Sequence, residues 1–506
     1  MKGDSDIWTY DPAVAGSGLP LPSPAPLGLG GLLNLNGDKE DFTGLDPGNA
    51  ARLARMWSHC LRYSRERRKW LIYWPGAGIW RWDETGVCLR MAEKTLYEFY
   101  RQARAAEDQD GRKLAHRSID DLRRIERMLK LAEPRLAIRL EQLDRKPDLL
   151  VFRNGTLNLA TGEFGKSRAE DFITRRLEFD YEPDATAPQF MSYLSRALGW
   201  HPSMSGSQAE ELRQMLDFVQ LVLGYNLCGH TSSKAIFIWY GPPDCGKSTL
   251  LNLFLLMLGS YGVKIQIESL MRGAEQTNAA HADLADLHGA RFAMSSEIGQ
   301  NQRIDVRRLK SITQGGGRIK ARRLAENPIE FCESHKLNLD SNYLPVVPED
   351  DEALWRRFFP IPFLVKIPEH EQDRELPDKL LAEAPGILAW AARGAKRWYE
   401  CGGQLVRPTS VRAASATYRT SMDTVTQFID DCCDRDDAVK VGSTDLHAAW
   451  ERWARERHCR PMSHKAFSLK LKALGFGAAK VGGIMHIIGL KLGDGREDGE
   501  DQPIFR

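Results

Sequence analysis

The sequence lacks any C-x-x-C pair among its 9 cysteines, and the adjacent Cys432 and Cys433 suit neither a zinc knuckle nor a common disulfide. That pattern argues against a structural zinc site and a disulfide framework, and for reduced thiols in a cytosolic protein. No apolar run reaches membrane-spanning length. The start, Met1-Lys2-Gly3-Asp4-Ser5-Asp6, lacks the charged and apolar blocks of a secretory signal. The expectation is a soluble protein of a cytoplasm, bacterial host or otherwise intracellular, with no membrane partner. An excess of one charge is also missing: 70 Lys and Arg stand against 68 Asp and Glu, a net charge of +2. Overall charge therefore selects no partner, and any nucleic-acid contact must come from cations gathered locally. What remains is ordinary for globular protein, with 42% apolar and 27% charged residues across 506 positions. That length allows roughly three or four domains.

The most informative stretch runs from Phe237 to Leu250. The apolar run Ala235 to Tyr240 reads as a buried strand that breaks at Gly241, and an apolar helix begins after Gly246, with Leu250, Leu251, Leu253 and Phe254. Between them lies Gly241-Pro242-Pro243-Asp244-Cys245-Gly246-Lys247-Ser248-Thr249, which fits G-x-x-x-x-G-K-[ST]. Glycines let backbone N–H groups wrap a phosphate, and a helix N-terminus adds partial positive charge. In such a loop Lys247 reaches the β- and γ-phosphates and the Ser248 hydroxyl ligates Mg²⁺. ATP and Mg²⁺ are thus the expected ligands; the plainer alternative is a Gly/Pro turn.

Upstream, residues 1–48 are rich in Pro, Gly, Leu and Ser and are expected to form a tail without a core. Ala51 to Ser64 looks helical. Trp70 to Trp74 and Ile79 to Trp82 read as a hairpin closed on Gly76-Ala77-Gly78, whose aromatics are either core or a stacking platform for single-stranded nucleic acid. Cys88 to Ala105 and most of Arg112 to Leu140 look helical, and Leu149 to Leu159 reads as strand and turn. Pro183 to Pro188 is a linker, and Gln189 to Leu198 and Ala209 to Leu227 are helices.

Downstream, a polar helix around Ala279 to Leu287 leads to the strand Ala290 to Met294, ending at Ser295-Ser296-Glu297. An acid at the end of a strand downstream of a phosphate loop can polarise water and help hold the metal; the alternative for Glu297 is a solvated strand end. A basic stretch follows (Arg303, Arg307, Arg308, Lys310), then three glycines and Arg318-Ile319-Lys320-Ala321-Arg322-Arg323. Alternation puts Arg318, Lys320 and Arg322 on one strand face, and Glu326-Asn327-Pro328 turns the chain back, giving a cationic hairpin suited to phosphate contacts. Lys336 to Ser341 is another strand, and Asn342 is placed to feel a γ-phosphate or simply to form a turn before Pro345. Arg356 and Arg357 sit on a short helix, as an arginine finger from a neighbouring subunit or as a solvated face. Leu376 to Trp398 is helical. From Ser443 to Leu490, Thr444 and Ser463 cap two helices, the second carrying Lys465, Lys470 and Lys472, and a two-stranded wing carries Lys480. Helix–turn–helix plus wing suits duplex DNA, and the layout also serves protein docking.

Taken in order, these motifs resemble superfamily 3 helicases of phages, plasmids and DNA viruses, most of all the helicase half of satellite-phage and poxvirus primase–helicases. The residues carrying the likeness are Gly241 to Thr249, His288-Gly289-Ala290-Arg291 before the Glu297 strand, Gly315 to Arg322, Asn338 to Pro345 and Trp355-Arg356-Arg357. Val151 to Leu157 and Ala384 to Trp390 resemble the flanks of such helicases. The resemblance implies an α/β fold: an AAA+-type P-loop core, a mixed α+β and helical N-terminal region, and a C-terminal winged-helix domain. The divisions are a tail at 1–48, an α+β domain at 49–185, a helical collar at 186–230, the core at 231–366, a helical segment at 367–428, a winged helix at 429–492 and a tail at 493–506. It also implies an ATP-driven ring, usually a hexamer, with active sites at subunit junctions, a single DNA strand in the pore and duplex at the winged helix. A separate primase or polymerase is a further partner. Carried over, Lys247 and Ser248 serve phosphate and metal, Glu297 activates water, Asn342 is the sensor, Arg356 or Arg357 is the finger, and Lys320, Arg322 and Arg323 belong to the pore hairpin.

Three positions depart from the pattern: Ser296 where many relatives have a second acid, Gly317 where they often have Asp, and Cys245 in place of a commoner Asn. With Ser296 there, the metal rests more on Ser248 and water. Asp108-Gln109-Asp110 is the acid triplet nearest to a polymerising site, and it lies in a charged, solvated run, so no primer synthesis is expected. The leading function is a replicative DNA helicase of a mobile element. The alternatives are an origin-binding initiator or loader whose ATPase is a switch, and a primase–helicase.

Overall fold

The structure is a computed structural model, and it describes residues 21–25, 46–270, 284–296, 304–322, 329–345, 347, 351–456 and 462–493. The chain divides around a parallel sheet, with an α+β part before it and a small mixed lobe after it.

The first part starts with the helix Asp46–Trp57. The helix expected over Ala51 to Ser64 ends there, because Leu61–Ser64 is a strand paired antiparallel with Lys69–Ile72. Leu61 and Tyr63 are buried, so sheet pairing overrides local helix preference. Lys69–Trp74 and Ile79–Trp82 form the expected hairpin. The helix Val87–Ala105 follows. The long helical stretch expected to reach Leu140 is two helices, Gln109–Ile119 and Leu122–Ala132. Asp121 starts the second by accepting from the Arg123 N–H, and Ala137–Ile138 then joins the sheet edge. The tryptophans settle into this core: Trp57 and Trp80 are buried, with Trp70, Trp74 and Trp82 packed against them. A second small sheet holds Leu149–Phe152, Gly155–Asn158 and Phe164–Gly165.

The central sheet has five parallel strands in the order Phe358–Pro362, Ile236–Tyr240, Lys336–Ser341, Phe292–Ser296, Gly262–Lys264. Its strands are almost wholly buried, as expected where helices and a second domain cover the faces. Ile236 and Ile238 face one apolar cluster, and Phe237 and Trp239 face the other. The second face is covered by Gly206–Leu227 and Ala384–Glu400. The segment expected to be helical from Leu376 is two helices, Leu376–Ala382 and Ala384–Glu400. The basic stretch forms the expected hairpin, Arg318–Ala321 with Ile329–Cys332. Of the polar helix around Ala279 to Leu287, only its end lies within the described residues.

The C-terminal lobe, expected over 429–492, starts a few residues earlier. It begins with the helix Thr424–Cys432 and the strand Cys433–Gly442. Helices Ser443–Glu456 and His464–Ala473 and the strands Gly477–Val481 and Ile484–Leu492 complete it. The sheet has three strands rather than two, because Cys433–Gly442 pairs along the long strand Ile484–Leu492. Its own core includes Leu446, Trp450, Phe467 and Leu471. Ser463 caps its helix as expected, whereas the preceding helix starts at Ser443, one residue ahead of Thr444. No described helix is long and apolar enough to cross a membrane.

Candidate active site

The glycine loop leaves the strand Ile236–Tyr240 at the C-terminal edge of the parallel sheet, where open α/β sheets place ligands. A Cβ on Gly241 would lie 1.9 Å from the Phe363 carbonyl oxygen, so this position admits glycine alone. The Phe363 N–H donates to the Tyr240 carbonyl at 2.8 Å, and the Ile367 N–H to the Asp244 carbonyl at 2.9 Å. The segment after Pro362 therefore runs along the loop. Leu364 and Val365, both exposed apolar residues, lie on it. Pro242 and Pro243 stiffen the entry, and Asp244 takes a φ of +61°, a strained value for a residue with a side chain. Cys245 is fully buried. Gly246, at φ +89°, opens the helix Lys247–Leu258, and the Tyr193 hydroxyl donates to its carbonyl at 2.5 Å.

Lys247 is 5% exposed, and its ammonium donates to Asn342 Oδ1 at 2.6 Å and to the Pro242 carbonyl at 3.3 Å. Ser248 and Thr249 follow in the first helical turn, where backbone N–H groups have no intrahelical partner; Ser248 is exposed. Asn342 comes from the end of the neighbouring strand Lys336–Ser341. Residues 95 apart in sequence thus meet at one point, with the phosphate-type loop on one side and the sensor candidate on the other.

Two neighbours were not singled out from the sequence. Tyr193 is buried against the loop, and burial pushes its phenol well above the ordinary range. Asp340, 6% exposed, lies one strand over from Trp239. The alternation Lys336, Asn338, Asp340 marks a polar ladder on a buried strand. Asn338 accepts from Trp239 Nε1 at 3.1 Å and donates to Asn226 Oδ1 at 3.0 Å, and Lys336 donates to the Cys228 carbonyl. Glu297 and Arg323 lie outside the described residues; the strand before Glu297 ends at Ser296.

The paired arginines separate. Arg357 turns inward, its Nη1 donating to the Thr313 carbonyl at 2.8 Å, to Thr313 Oγ1 at 3.1 Å and to the Lys310 carbonyl at 3.3 Å. Arg356 points outward with 79% of its side chain exposed, 3.8 Å from Glu352. On the hairpin, Arg318 and Lys320 lie on the exposed face while Ile319 and Ala321 are buried, and Arg322 is also exposed. Arg318 lies 3.8 Å from Glu141. In the C-terminal lobe Lys465, Lys472 and Lys480 are exposed. Lys470 instead pairs with Asp423 at 3.1 Å, tying its helix to the start of the lobe. Asp108 accepts from the Gly111 N–H as the cap of the helix Gln109–Ile119. Among the described residues no three His, Cys, Asp or Glu side chains cluster as a metal site.

Three family descriptions match separate parts of the chain. Residues 50–199 match "D5 N terminal like", residues 239–357 match "Family of unknown function (DUF5906)", and residues 420–476 match "Poxvirus D5 protein-like". The chain's curated relatives include "Putative helicase L207/L206" of Acanthamoeba polyphaga mimivirus, 27% identical over 63% of this chain and 34% of the relative. "Putative helicase 022R" of Frog virus 3 is 26% identical over 44% of this chain and 25% of its own length. The chain thus spans about a third or less of the length of the curated relatives it matches. Among solved structures, "The A form apo structure of NrS-1 C terminal region-CTR" is similar with a TM-score of 0.44 and 12% identity, over 85% of this chain and 95% of that one.

Proposed function

We propose that this chain is the motor of an ATP-driven DNA helicase that works as a ring. The observation that carries the reading is the contact of Lys247 with Asn342 at the mouth of the glycine loop. A buried ammonium and an amide from the adjacent strand, beside a helix N-terminus, suit a nucleoside triphosphate: the cations stabilise transferring-phosphoryl charge and the amide orients water. The loop suits that group, since Gly241 and Gly246 pack so closely on Phe363 and Tyr193 that a Cβ at either would disturb the loop backbone. Ser248, with Glu297, would hold Mg²⁺, which when bound neutralises phosphate charge. Leu364 and Val365 offer apolar faces for the base. Arg356 is free to reach a neighbouring subunit's site, which supports it over Arg357 as the finger in a superfamily 3, AAA+-type arrangement, with a hexamer as the expected assembly. The hairpin cations face a single strand in the pore, and Lys465, Lys472 and Lys480 present a winged-helix-like lobe to duplex. The names of the curated relatives agree with this reading.

The test is DNA-stimulated ATP hydrolysis alongside fork unwinding. Wild type should do both, Lys247→Ala neither, and Lys320→Ala with Arg322→Ala should hydrolyse without unwinding. Hydrolysis by wild type with no strand separation would sink the motor reading. The three exposed lysines on the C-terminal lobe would then favour an initiator or loader that binds duplex through that lobe.

A further inference from the structure

The basic hairpin is held at its base by a carboxyl group that the proposed motor does not otherwise use. Glu333 directly follows the returning strand Ile329–Cys332 and is 6% exposed. Its Oε2 accepts from the N–H groups of Gln314 and Gly315, each at 3.0 Å, and its own N–H donates to the Gly317 carbonyl at 2.9 Å. The side chain thus closes the glycine turn from which Arg318–Ala321 departs. Gly315 has a φ of +83°, and a Cβ there would lie 2.8 Å from Lys234 Cε and 3.2 Å from the Thr231 carbonyl. The turn is therefore pressed onto the segment that feeds the glycine-loop strand. A cavity of about 280 Å³, lined by Thr231, Gly315, Gly316 and Glu333 among others, adjoins the turn, so packing there is thin and the hydrogen bonds matter more. Three residues beyond Glu333 the strand Lys336–Ser341 begins, and its end presents Asn342 to Lys247.

We propose that Glu333 is a positioning residue: by closing the 314–317 turn, it makes the basic hairpin move as one body with the strand that carries Asn342. The inference rests on reading the glycine loop as the ATP site and the hairpin as a DNA contact. Both turn N–H groups use the same oxygen, so the amide oxygen of glutamine can replace it. Burial also pushes the Glu333 carboxyl up to about 7, so a neutral group is no stranger to the site.

The test uses the full chain and a single-stranded oligonucleotide, with ATP hydrolysis followed against oligonucleotide concentration for wild type, Glu333→Ala, Glu333→Gln and Gly315→Ala. Thermal unfolding reports whether each variant folds. Glu333→Ala and Gly315→Ala should keep basal hydrolysis and the KM for ATP but lose about tenfold in DNA stimulation, and Glu333→Gln should restore most of it. Wild-type stimulation in folded Glu333→Ala, or equal failure of the Gln and Ala variants, overturns the proposal. If Glu333→Ala does not fold, Gly315→Ala decides: full stimulation there overturns it. If wild type hydrolyses no ATP, the ATP reading has failed by itself. Deuterium exchange over 314–322 then judges the clamp alone: faster exchange in the Ala than in the Gln variant supports it, and equal exchange overturns it.

Discussion

Lys247 carries its ammonium into a site where the partners are neutral oxygens, Asn342 Oδ1 and the Pro242 carbonyl. Among the described residues these hydrogen bonds bring the buried ammonium no carboxylate, an arrangement that costs stability and that a bound phosphate would relieve. Lys247→Ala should therefore lower ATP hydrolysis by ~10²-fold or more while leaving the melting temperature unchanged or higher. A variant that hydrolyses normally would remove Lys247 from the mechanism. Arg356 and Arg357 should part in the same way. Arg357→Ala removes three hydrogen bonds to Thr313 and Lys310 and should cost about 2 kcal/mol of stability. Arg356→Ala should leave stability within about 0.5 kcal/mol yet cut hydrolysis by ~10³-fold, with activity partly recovered on mixing with Lys247→Ala subunits. The loop was legible in the sequence because its pattern is local. Which arginine turns inward was not, because its partner Thr313 lies 44 residues earlier and no local spacing encodes that contact. Tyr193, 53 residues from Gly246, was invisible for the same reason.

Two buried groups beside the hairpin titrate in opposite senses. Burial lowers the His335 imidazole to about 4 and raises the Glu333 carboxyl to about 7. Below the ordinary histidine range the unfolded chain binds the His335 proton first, so stability falls as pH drops from about 6.5 to about 4. For Glu333 the folded chain binds the proton first, so stability rises over nearly the same interval as pH drops from about 7. The two slopes oppose each other in wild type. Glu333→Gln should expose the histidine slope, a loss on the order of 3 kcal/mol between pH 6.5 and 4 by urea unfolding. An equally flat profile in the variant would contradict this assignment.

Among the elements, the hairpin shows how far alternation can be trusted. Period-two spacing placed Arg318 and Lys320 outside and Ile319 and Ala321 inside, and the structure agrees. Alternation failed at Leu61–Ser64, where four residues are too few to outvote the helical run before them, and pairing with Lys69–Ile72 decides instead. It also missed Cys433–Gly442, a polar edge strand whose partner lies some fifty residues on. If the hairpin face meets a DNA backbone, Lys320→Ala with Arg322→Ala should reduce the salt dependence of single-strand binding by a slope of about 1.4, two phosphate contacts' worth. Fluorescence anisotropy between low and moderate salt measures it, and an unchanged slope would take the hairpin off the DNA path. Lys470 makes the opposite point: a cation on the second helix of the expected helix–turn–helix is used to hold Asp423. Lys470→Ala should lower the stability of the lobe more than its affinity for duplex.

At the scale of the whole molecule, one carboxylate joins three distant segments. Asp148 Oδ1 lies 2.7 Å from His230 Nε2, just past the helix Gly206–Leu227, and accepts from the Tyr399 hydroxyl at 2.6 Å, near the end of Ala384–Glu400. Burial alone would raise this carboxyl, but the hydrogen bonds from Tyr399 and His230 outweigh it and hold it below the ordinary range. Arg291 reinforces the same junction by donating to the carbonyls of Leu227 and Leu149. The N-terminal part is thus latched to both helices that cover the second face of the sheet. Removing it should loosen the joint without altering the loop. Asp148→Ala should cost about 2 kcal/mol, the worth of charge-assisted hydrogen bonds at a partly exposed site. It should also speed proteolytic release of the region before the 183–188 linker, while basal ATP hydrolysis stays near wild type. Asp148→Asn keeps an acceptor oxygen and should fall between the two. If the Ala variant instead loses hydrolysis while resisting protease like wild type, Asp148 acts on the nucleotide site itself, and the N-terminal part is then a working piece of the motor rather than a body latched beside it.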